Sequence, residues 1–179
     1  MTDQTLAGQF LVATPIITQP PFSRSVVFLL EHDQEGAIGV VINRPTDLLV
    51  EDHIQGLDEM LSEPPLVFLG GPVASDSAVA IGRGTEVDFL RPSMFAGVGI
   101  VDIERQTVGL ESLRIFAGYA GWDPDQLEAE IEEGAWWVLS PAIDEVFTRD
   151  VAGMWERSVE RAPGMIPLYS TYPADPSVN

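Results

Sequence analysis

The chain has 179 residues, of which 45% are hydrophobic, and its formal net charge at pH 7 is -19. All nine basic residues are arginine, because the sequence contains no lysine, and it contains no cysteine either. DNA binding normally depends on a basic patch, which nine arginines dispersed among 28 acidic residues do not readily form, so direct binding to DNA or to an anionic membrane is disfavoured.

The missing residue types also remove several kinds of catalytic chemistry. Without lysine there is no Schiff base and no P-loop lysine, and without cysteine there is no thiol nucleophile, disulfide or cysteine zinc site. The N-terminus, MTDQTLAGQF, has neither the basic region nor the apolar core of a signal peptide. The longest clean apolar run, residues 26–30, is far shorter than the roughly 20 residues that span a bilayer. We therefore expect a cytoplasmic protein with one domain.

The first part of the chain predicts a hairpin at the centre of a sheet. Residues 8–13 read as a first strand, and residues 25–32 and 37–43 read as two arms joined by a turn that ends at Gly36. Both arms are apolar on successive positions, which is typical of strands covered on both faces. The two arms are therefore expected to pair antiparallel in the interior of the sheet.

The middle of the chain predicts one helix and three strands. Thr46 or Asp47 is a suitable cap for a helix that runs to about Leu61, although its apolar stripe is imperfect and Gly56 disfavours a helix. The predicted strands cover residues 66–69, 78–81 and 97–103, with a loop over residues 82–92.

A glycine-rich region follows the short apolar run that starts at Leu113. Gly118 and Gly121 predict a point where the chain reverses, and Gly121 is expected to need either a positive φ or a close backbone contact. Asp123 is a suitable N-cap, with Pro124 at the first helical position and a glutamine three residues after the cap. These glycines and the helix N-terminus form either a small cradle for an anion or a tight turn that seats Trp122 in the core.

The last third predicts a strand over residues 135–139 and one long helix. Ser140 is its expected cap, Pro141 its first position, and its apolar spacing continues until shortly before Pro163. Residues 1–162 are therefore assigned to one domain. Residues 163–179 are expected to form an extended, proline-rich segment that docks on it, because their apolar content is too high for a disordered tail.

The familiar catalytic and metal-binding motifs are missing. In the sequence Glu31-His32-Asp33, a strand would point the histidine away from the two acids, so they would not converge on one ion. His53 has no ligand spacing around it, and neither a G-x-S-x-G motif nor a complete dinucleotide fingerprint is present. We predict no metal site and no cofactor.

The remaining candidates are loop ends that could share one side of the sheet, which is where ligands usually bind in α/β folds. Arginine at a turn can grip a carboxylate or phosphate in two places, and positive charge is scarce in this chain. Either these arginines bind a ligand or they pair with neighbouring acids to fix the loops. The candidate ligand-binding residues are Arg24, Asn43, Arg44, Gly70, Gly71, Gly118, Gly121 and Trp122.

Several motifs resemble, in order, those of the YqgE/AlgH family, and the match runs through Trp155. They are GQFLVATP at 8–15, FSRSVV at 22–27, His32 with Gly36-Ala37, NRP at 43–45, GGP at 70–72, and GYAGW at 118–122 with QLE at 126–128. The resemblance implies a single α/β domain of bacterial origin with no established activity and no catalytic residues to carry over. One family member has been named as a transcriptional regulator of alginate synthesis. Asp125 replaces the family's usual glycine and would repel an anion at this helix start.

Together these observations predict an α/β (α+β) fold, with a single compact domain in which about three helices pack on a mostly antiparallel or mixed sheet with a central hairpin. The leading functional hypothesis is a non-catalytic binding or regulatory protein, whose partner is a small anionic ligand or another protein. The alternative is an enzyme that holds a small anionic substrate with Arg24 and Arg44 and uses a carboxylate as base. A buried acid with a raised pKa would favour the enzyme.

Overall fold

The predicted hairpin lies inside a ten-stranded mixed sheet in the computed structural model, which describes residues 5–92, 97–105 and 107–174. Most neighbouring strands are antiparallel, and β5 runs parallel to β9. Along the sheet the order is β10-β1-β2-β3-β9-β6-β8-β7, while β5 pairs with both β4 and β9. The strands are β1 (Phe10–Ala13), β2 (Val26–Asp33), β3 (Gly36–Val41), β4 (Pro45–Leu49), β5 (Leu66–Leu69), β6 (Val73–Gly84), β7 (Arg91–Pro92), β8 (Val98–Ile100), β9 (Leu110–Trp122) and β10 (Trp136–Leu139).

Helices are few and short within the described residues. The α-helices are α1 (Gln126–Glu132), α2 (Ile143–Val146) and α3 (Met154–Glu160), and 3-10 turns occupy Val50–Asp52 and Ile166–Tyr169. None of the described helices is long and apolar enough to cross a membrane. The predicted single domain, with a mixed sheet and about three helices, is therefore confirmed.

The hairpin is buried on both faces because its side chains alternate between two clusters. Phe28 and Val40 pack on the α3 side of the sheet, where Met154 and Trp155 also lie. Leu29 and Val41 instead join a second cluster around Trp122 and Trp136. The continuous apolar runs thus supply one residue to each side in turn, which confirms the predicted interior position.

The helix predicted from Thr46 or Asp47 to about Leu61 is wrong. Its first residues form β4, which is antiparallel to β5, and only Val50–Asp52 is helical, as a 3-10 turn. The Thr46 hydroxyl donates to the Val67 carbonyl at 2.7 Å and accepts from the Leu48 amide at 3.1 Å, so it links strands instead of capping a helix. Pairing with the neighbouring strand β5 therefore outweighed the weak helical pattern of the apolar residues.

The expected chain reversal at residues 118–121 is also wrong. β9 continues through both glycines to Trp122, because β3 offers it a partner over this stretch, with Ala37 opposite Trp122 and Ile38 opposite Gly121. The helix follows only at α1, and Asp123 does not cap it. The Asp123 amide does donate to the Gln126 side chain at 3.0 Å, so half of the predicted capping box is formed.

The single long helix predicted before Pro163 is instead two short helices, α2 and α3, separated by residues 147–153. Ser140 does not cap either of them. The Thr148 hydroxyl accepts from the Asp150 amide at 3.2 Å, a local side-chain bond that competes with the helix. Arg157 then clamps the break, with 2.8 Å to Glu145 and 3.0 Å to Asp150.

The chain after Pro163 lies against the body as far as residue 174, and residues 175–179 of the predicted extended segment lie outside the described residues. Its 3-10 turn places the Tyr169 ring 5.3 Å from the Trp137 ring on β10. The Tyr172 carbonyl accepts a hydrogen bond from the Arg24 guanidinium. These contacts bring the last described residues close to the loop that carries Arg24.

Candidate functional site

Three of the nine arginines line one open cleft of about 490 Å³, which we call the arginine cleft. Arg24 lies on the loop before β2, Arg44 follows β3, and Arg149 lies in the break between α2 and α3. The other lining residues are five apolar residues, two uncharged polar residues and one acid; they are Ser23, Asn43, Pro45, Pro64, Val151, Ala152, Trp155 and Glu156. The cleft therefore concentrates positive charge on a chain whose net charge is -19.

Arg24 is already paired inside the cleft. Its guanidinium lies 2.6 Å from the Glu156 carboxylate and 4.5 Å from the centre of the Trp155 ring, and it also donates to the Tyr172 carbonyl. Its backbone has a φ of 53°, a left-handed conformation that is uncommon outside glycine. The Arg24 charge is thus balanced by Glu156. The position of the Arg24 side chain depends on interactions that stabilise the left-handed backbone conformation of this residue.

Asn43 provides that support. Its side chain is 8% exposed, and its Oδ1 accepts from the Val26 amide at 2.9 Å. Its Nδ2 donates to the Arg24 carbonyl at 2.9 Å. Asn43 therefore ties the Arg24 turn to the end of the hairpin, and its polar atoms are occupied by backbone groups.

An Asn43→Ala substitution is expected to lower the free energy of unfolding by about 1 to 3 kcal/mol, because it leaves a buried amide without a partner. Urea denaturation followed by tryptophan fluorescence measures the change. Replacing Gln34, which lies in the exposed turn of the hairpin, is the matched control and should have little effect. Equal stability of Asn43→Ala and Gln34→Ala would contradict the bridging role of Asn43.

Arg44 and Arg149 differ from Arg24 because no carboxylate in the described part of the chain pairs with them. Arg44 donates to the Asn43 carbonyl at 3.1 Å and to the Ser23 carbonyl, and burial lowers its pKa from the usual value. Arg149 is exposed. Two guanidinium groups in one cleft are thus available to an anion.

Three of the predicted glycines, Gly70, Gly71 and Gly118, lie outside the arginine cleft and allow close packing of backbone segments. A Cβ on Gly70 would stand 2.3 Å from the Gly118 carbonyl oxygen, and one on Gly71 would stand 2.2 Å from backbone atoms of Tyr119. Gly118 has a φ of 68°, and its Cβ would meet the carbonyl oxygens of Gly71 and Val73, both at 2.7 Å. Backbone approaches of this kind are possible only for glycine.

Gly121 does not meet the expectation of a positive φ or a close backbone contact. Its φ is ordinary, it is exposed, and the atom nearest to a Cβ added there would be a Tyr119 ring carbon at 3.6 Å. Trp122 is buried beside Trp136, with ring centres 6.0 Å apart, and its indole donates to Glu130 at 2.9 Å. Of the eight candidate residues, only Arg24, Asn43 and Arg44 line the arginine cleft, so ligand binding by the other five remains a prediction.

A larger cavity, of about 840 Å³, lies at the other end of the hairpin beside α1. His32 there has both ring nitrogens engaged, since Nδ1 accepts from the Leu6 amide at 3.0 Å and Nε2 lies 2.6 Å from a Glu128 oxygen. Among the residues that the structure describes, no group of three His, Asp or Glu side chains is arranged to hold a metal ion, at the acidic rim of this cavity or elsewhere.

Two arginines near the cleft were not predicted from the sequence. Arg149 fell inside the long predicted helix, where nothing distinguished it from a surface arginine. Arg114 lies within β9 and is only 2% exposed. The available signal was a charged residue between Leu113 and Ile115 in an apolar strand, which indicates either an edge position or a buried charge with a special role.

Sequence comparison identifies relatives along almost the whole chain. The model of the AlgH-like family (DUF179) matches residues 10–167. A protein of Streptomyces avermitilis named UPF0301 is 42% identical, with 98% of this chain and 96% of that protein covered. A UPF0301 protein of Mycobacteroides abscessus is 33% identical over 97% of this chain and 88% of its own length.

Two solved structures share the fold. The crystal structure of the Corynebacterium diphtheriae protein DIP2367 has a TM-score of 0.83 and 29% identity, covering 96% of this chain and 94% of its own. The solution structure of AlgH from Pseudomonas aeruginosa has a TM-score of 0.63 and 26% identity, covering 82% of this chain and 83% of its own.

Proposed function

The chain belongs to the AlgH-like family, and from this membership and the arginine cleft we propose that it is a cytoplasmic, non-catalytic binding protein that recognises an anionic group on a small molecule or a protein partner. The observation that carries the proposal is the placement of three of nine arginines in one cleft, two of them without an acidic partner in the described part of the chain. Guanidinium groups bind carboxylates and phosphates through paired hydrogen bonds.

The overall acidity of the chain supports a local role for these arginines. A net charge of -19 repels anions at long range, and salt screens that repulsion over about 8 Å at physiological ionic strength. Contacts with an anion in the cleft are short-range, and at the partly buried Arg44 the screening by salt is weaker than at an exposed arginine. An acidic surface with one local group of arginines favours anions that fit inside the cleft. It disfavours DNA, which needs an extended basic surface.

An enzyme that uses the cleft would need a carboxylate that is free to take a proton. Glu156 is the acid that lines the cleft, and it is held by Arg24 at 2.6 Å. Because this pair ties the acid to a cation, binding without chemistry remains our leading proposal.

The test is isothermal titration calorimetry with acetate, inorganic phosphate and pyrophosphate. We expect at least one of these probes to bind the wild type, and Arg44→Gln to weaken that binding by about tenfold or more, since hydrogen bonds between charged groups contribute ~1.5 to 3 kcal/mol. Arg105→Gln is the matched control: it removes the same charge from an exposed arginine that pairs with Asp102 outside the cleft.

The control separates a site from general electrostatics. If Arg105→Gln weakens binding as much as Arg44→Gln does, the effect comes from net charge alone and the cleft is not the site. If none of the three probes binds the folded wild type at millimolar concentration, the proposed function is wrong.

A further inference from the structure

A buried arginine without a carboxylate partner in the described part of the chain lies directly behind the arginine cleft. Arg114 is 2% exposed, and its Nη2 donates to the Glu63 carbonyl at 2.9 Å and to the Thr148 carbonyl at 3.1 Å. Its guanidinium carbon lies 4.2 Å from the centre of the Phe68 ring. The Nε and Nη1 atoms of Arg114 have no hydrogen-bond partner among the described residues. A buried charge of this kind is costly and calls for an explanation.

Arg114 holds two segments that reach the cleft. Glu63 precedes Pro64 and Thr148 precedes Arg149, and both Pro64 and Arg149 line the cleft. Burial lowers the pKa of Arg114 to about 10, so the side chain still carries its charge at neutral pH. The positive charge of Arg114 therefore lies close behind the wall to which the cleft ligand would bind.

Three arginines in or next to the cleft have no carboxylate partner in the described part of the chain. Arg24 is neutralised by Glu156, whereas Arg44, Arg149 and Arg114 have no acidic partner among the residues that the structure describes. The attraction between a positive charge and an anion is stronger where the medium between them is less polar. Protein lies between the buried Arg114 guanidinium and the cleft, so water screens this attraction less. A ligand with a single negative charge could pair with only one of these three guanidinium groups.

We propose that the ligand of the arginine cleft carries two or more negative charges, as a phosphate ester, a pyrophosphate or a polycarboxylate does, and that Arg114 is a positioning residue that raises its affinity from behind the cleft wall. This inference rests on the proposed function. The cleft volume of about 490 Å³ is large enough for such a molecule and far exceeds a single carboxylate.

The experiment compares the affinities of acetate, pyrophosphate and citrate by calorimetry at one pH and one ionic strength. Pyrophosphate or citrate should bind about tenfold or more tightly than acetate, because each additional charge meets another unpaired guanidinium. The pyrophosphate and citrate arms separate phosphate-type from carboxylate-type ligands. Equal affinity for acetate and for both larger anions overturns the inference but leaves the proposed function standing, whereas no binding by any probe overturns both.

Variants of Arg114 test its own contribution. Arg114→Met should reduce the affinity for the preferred polyvalent probe by about threefold or more while acetate binding changes less, since a charge behind the wall acts mainly on the additional ligand charge. Arg114→Lys retains the charge and should recover part of the loss, and Arg114→Gln, which also removes the charge, replaces Arg114→Met in the comparison if that variant does not fold. With Arg105→Gln as reference, a folded variant that removes the Arg114 charge and still binds all three probes as the wild type does contradicts the role of Arg114.

Discussion

A Gly118→Val substitution is expected to lower the free energy of unfolding by about 3 kcal/mol or more. The φ of 68° disfavours a β-branched side chain, and the new Cβ would stand 2.7 Å from two backbone carbonyl oxygens. Neither carbonyl can move without disturbing the contact of β9 with the chain around Gly71 and Val73. At ~2 to 4 °C per kcal/mol, the melting temperature should fall by roughly 6 to 12 °C.

Gly121→Val is the matched control in the same strand. Gly121 is exposed and has an ordinary φ, and a Cβ there meets only side-chain atoms at 3.6 Å and beyond. We expect this variant to melt within about 3 °C of the wild type, as surface substitutions usually do. If Gly121→Val is the more damaging of the two in differential scanning calorimetry, the packing described for this part of β9 is wrong.

Replacing Glu130 with alanine is the second change with a large expected effect. One Glu130 oxygen accepts from the indole of Trp122 at 2.9 Å and from the indole of Trp136 at 2.8 Å, and both tryptophans are buried. Glu130→Ala leaves these two N–H groups without their partner, so the free energy of unfolding should fall by about 2 to 4 kcal/mol.

The control for this change is Glu132→Ala, which removes an exposed carboxylate from the same helix. Urea denaturation should show a loss for Glu130→Ala and a change within about 0.5 kcal/mol for Glu132→Ala. A Glu130→Ala variant as stable as Glu132→Ala would mean that water replaces the carboxylate at both indoles, and the proposed link between α1, β9 and β10 would not contribute to stability.

The strands of the central hairpin could be predicted because their signal is local. Residues 26–30 and 37–42 are apolar almost without interruption, and a Gly36 turn joins them, so pairing and burial follow from a short stretch of sequence. The positions that α2 and α3 bury, such as Val146, Met154 and Val159, were also visible in the spacing. What the spacing did not show is the break between the two helices, which depends on side-chain bonds at Thr148 and Arg157.

Two of the errors, those at residues 45–49 and 118–122, share one physical cause, which is a pairing strand far away in sequence. Residues 45–49 become a strand because β5 pairs with them, and residues 118–122 stay extended because β3 pairs with them. Local propensity contributes only a weak preference, and pairing with a neighbouring strand outweighs it. The sequence does not show which backbone lies beside each glycine of β9. A close backbone contact was therefore expected at Gly121, whereas the structure has it at Gly118, which faces the backbone around Gly71.

The candidate site could be predicted only in part. Arg24 and Arg44 were selected because positive charge is rare in this chain, and the fold brings both to one cleft with Asn43. Arg149 and Arg114 come from the helix break and from β9, and their approach to that cleft depends on the tertiary structure alone. No local pattern could have assigned four arginines from four separate segments to one region.

The most direct test of anion binding in the arginine cleft is a proton–nitrogen NMR spectrum of the arginine side chains during a pyrophosphate titration. The chain has nine arginines and no lysine, so the nine Nε–H signals can be assigned by single substitutions. We expect the signals of Arg44 and Arg149 to shift most and to saturate together, while that of Arg105 stays in place. Unchanged Arg44 and Arg149 signals, or shifts of the same size at Arg105, would contradict the arginine cleft as the binding site.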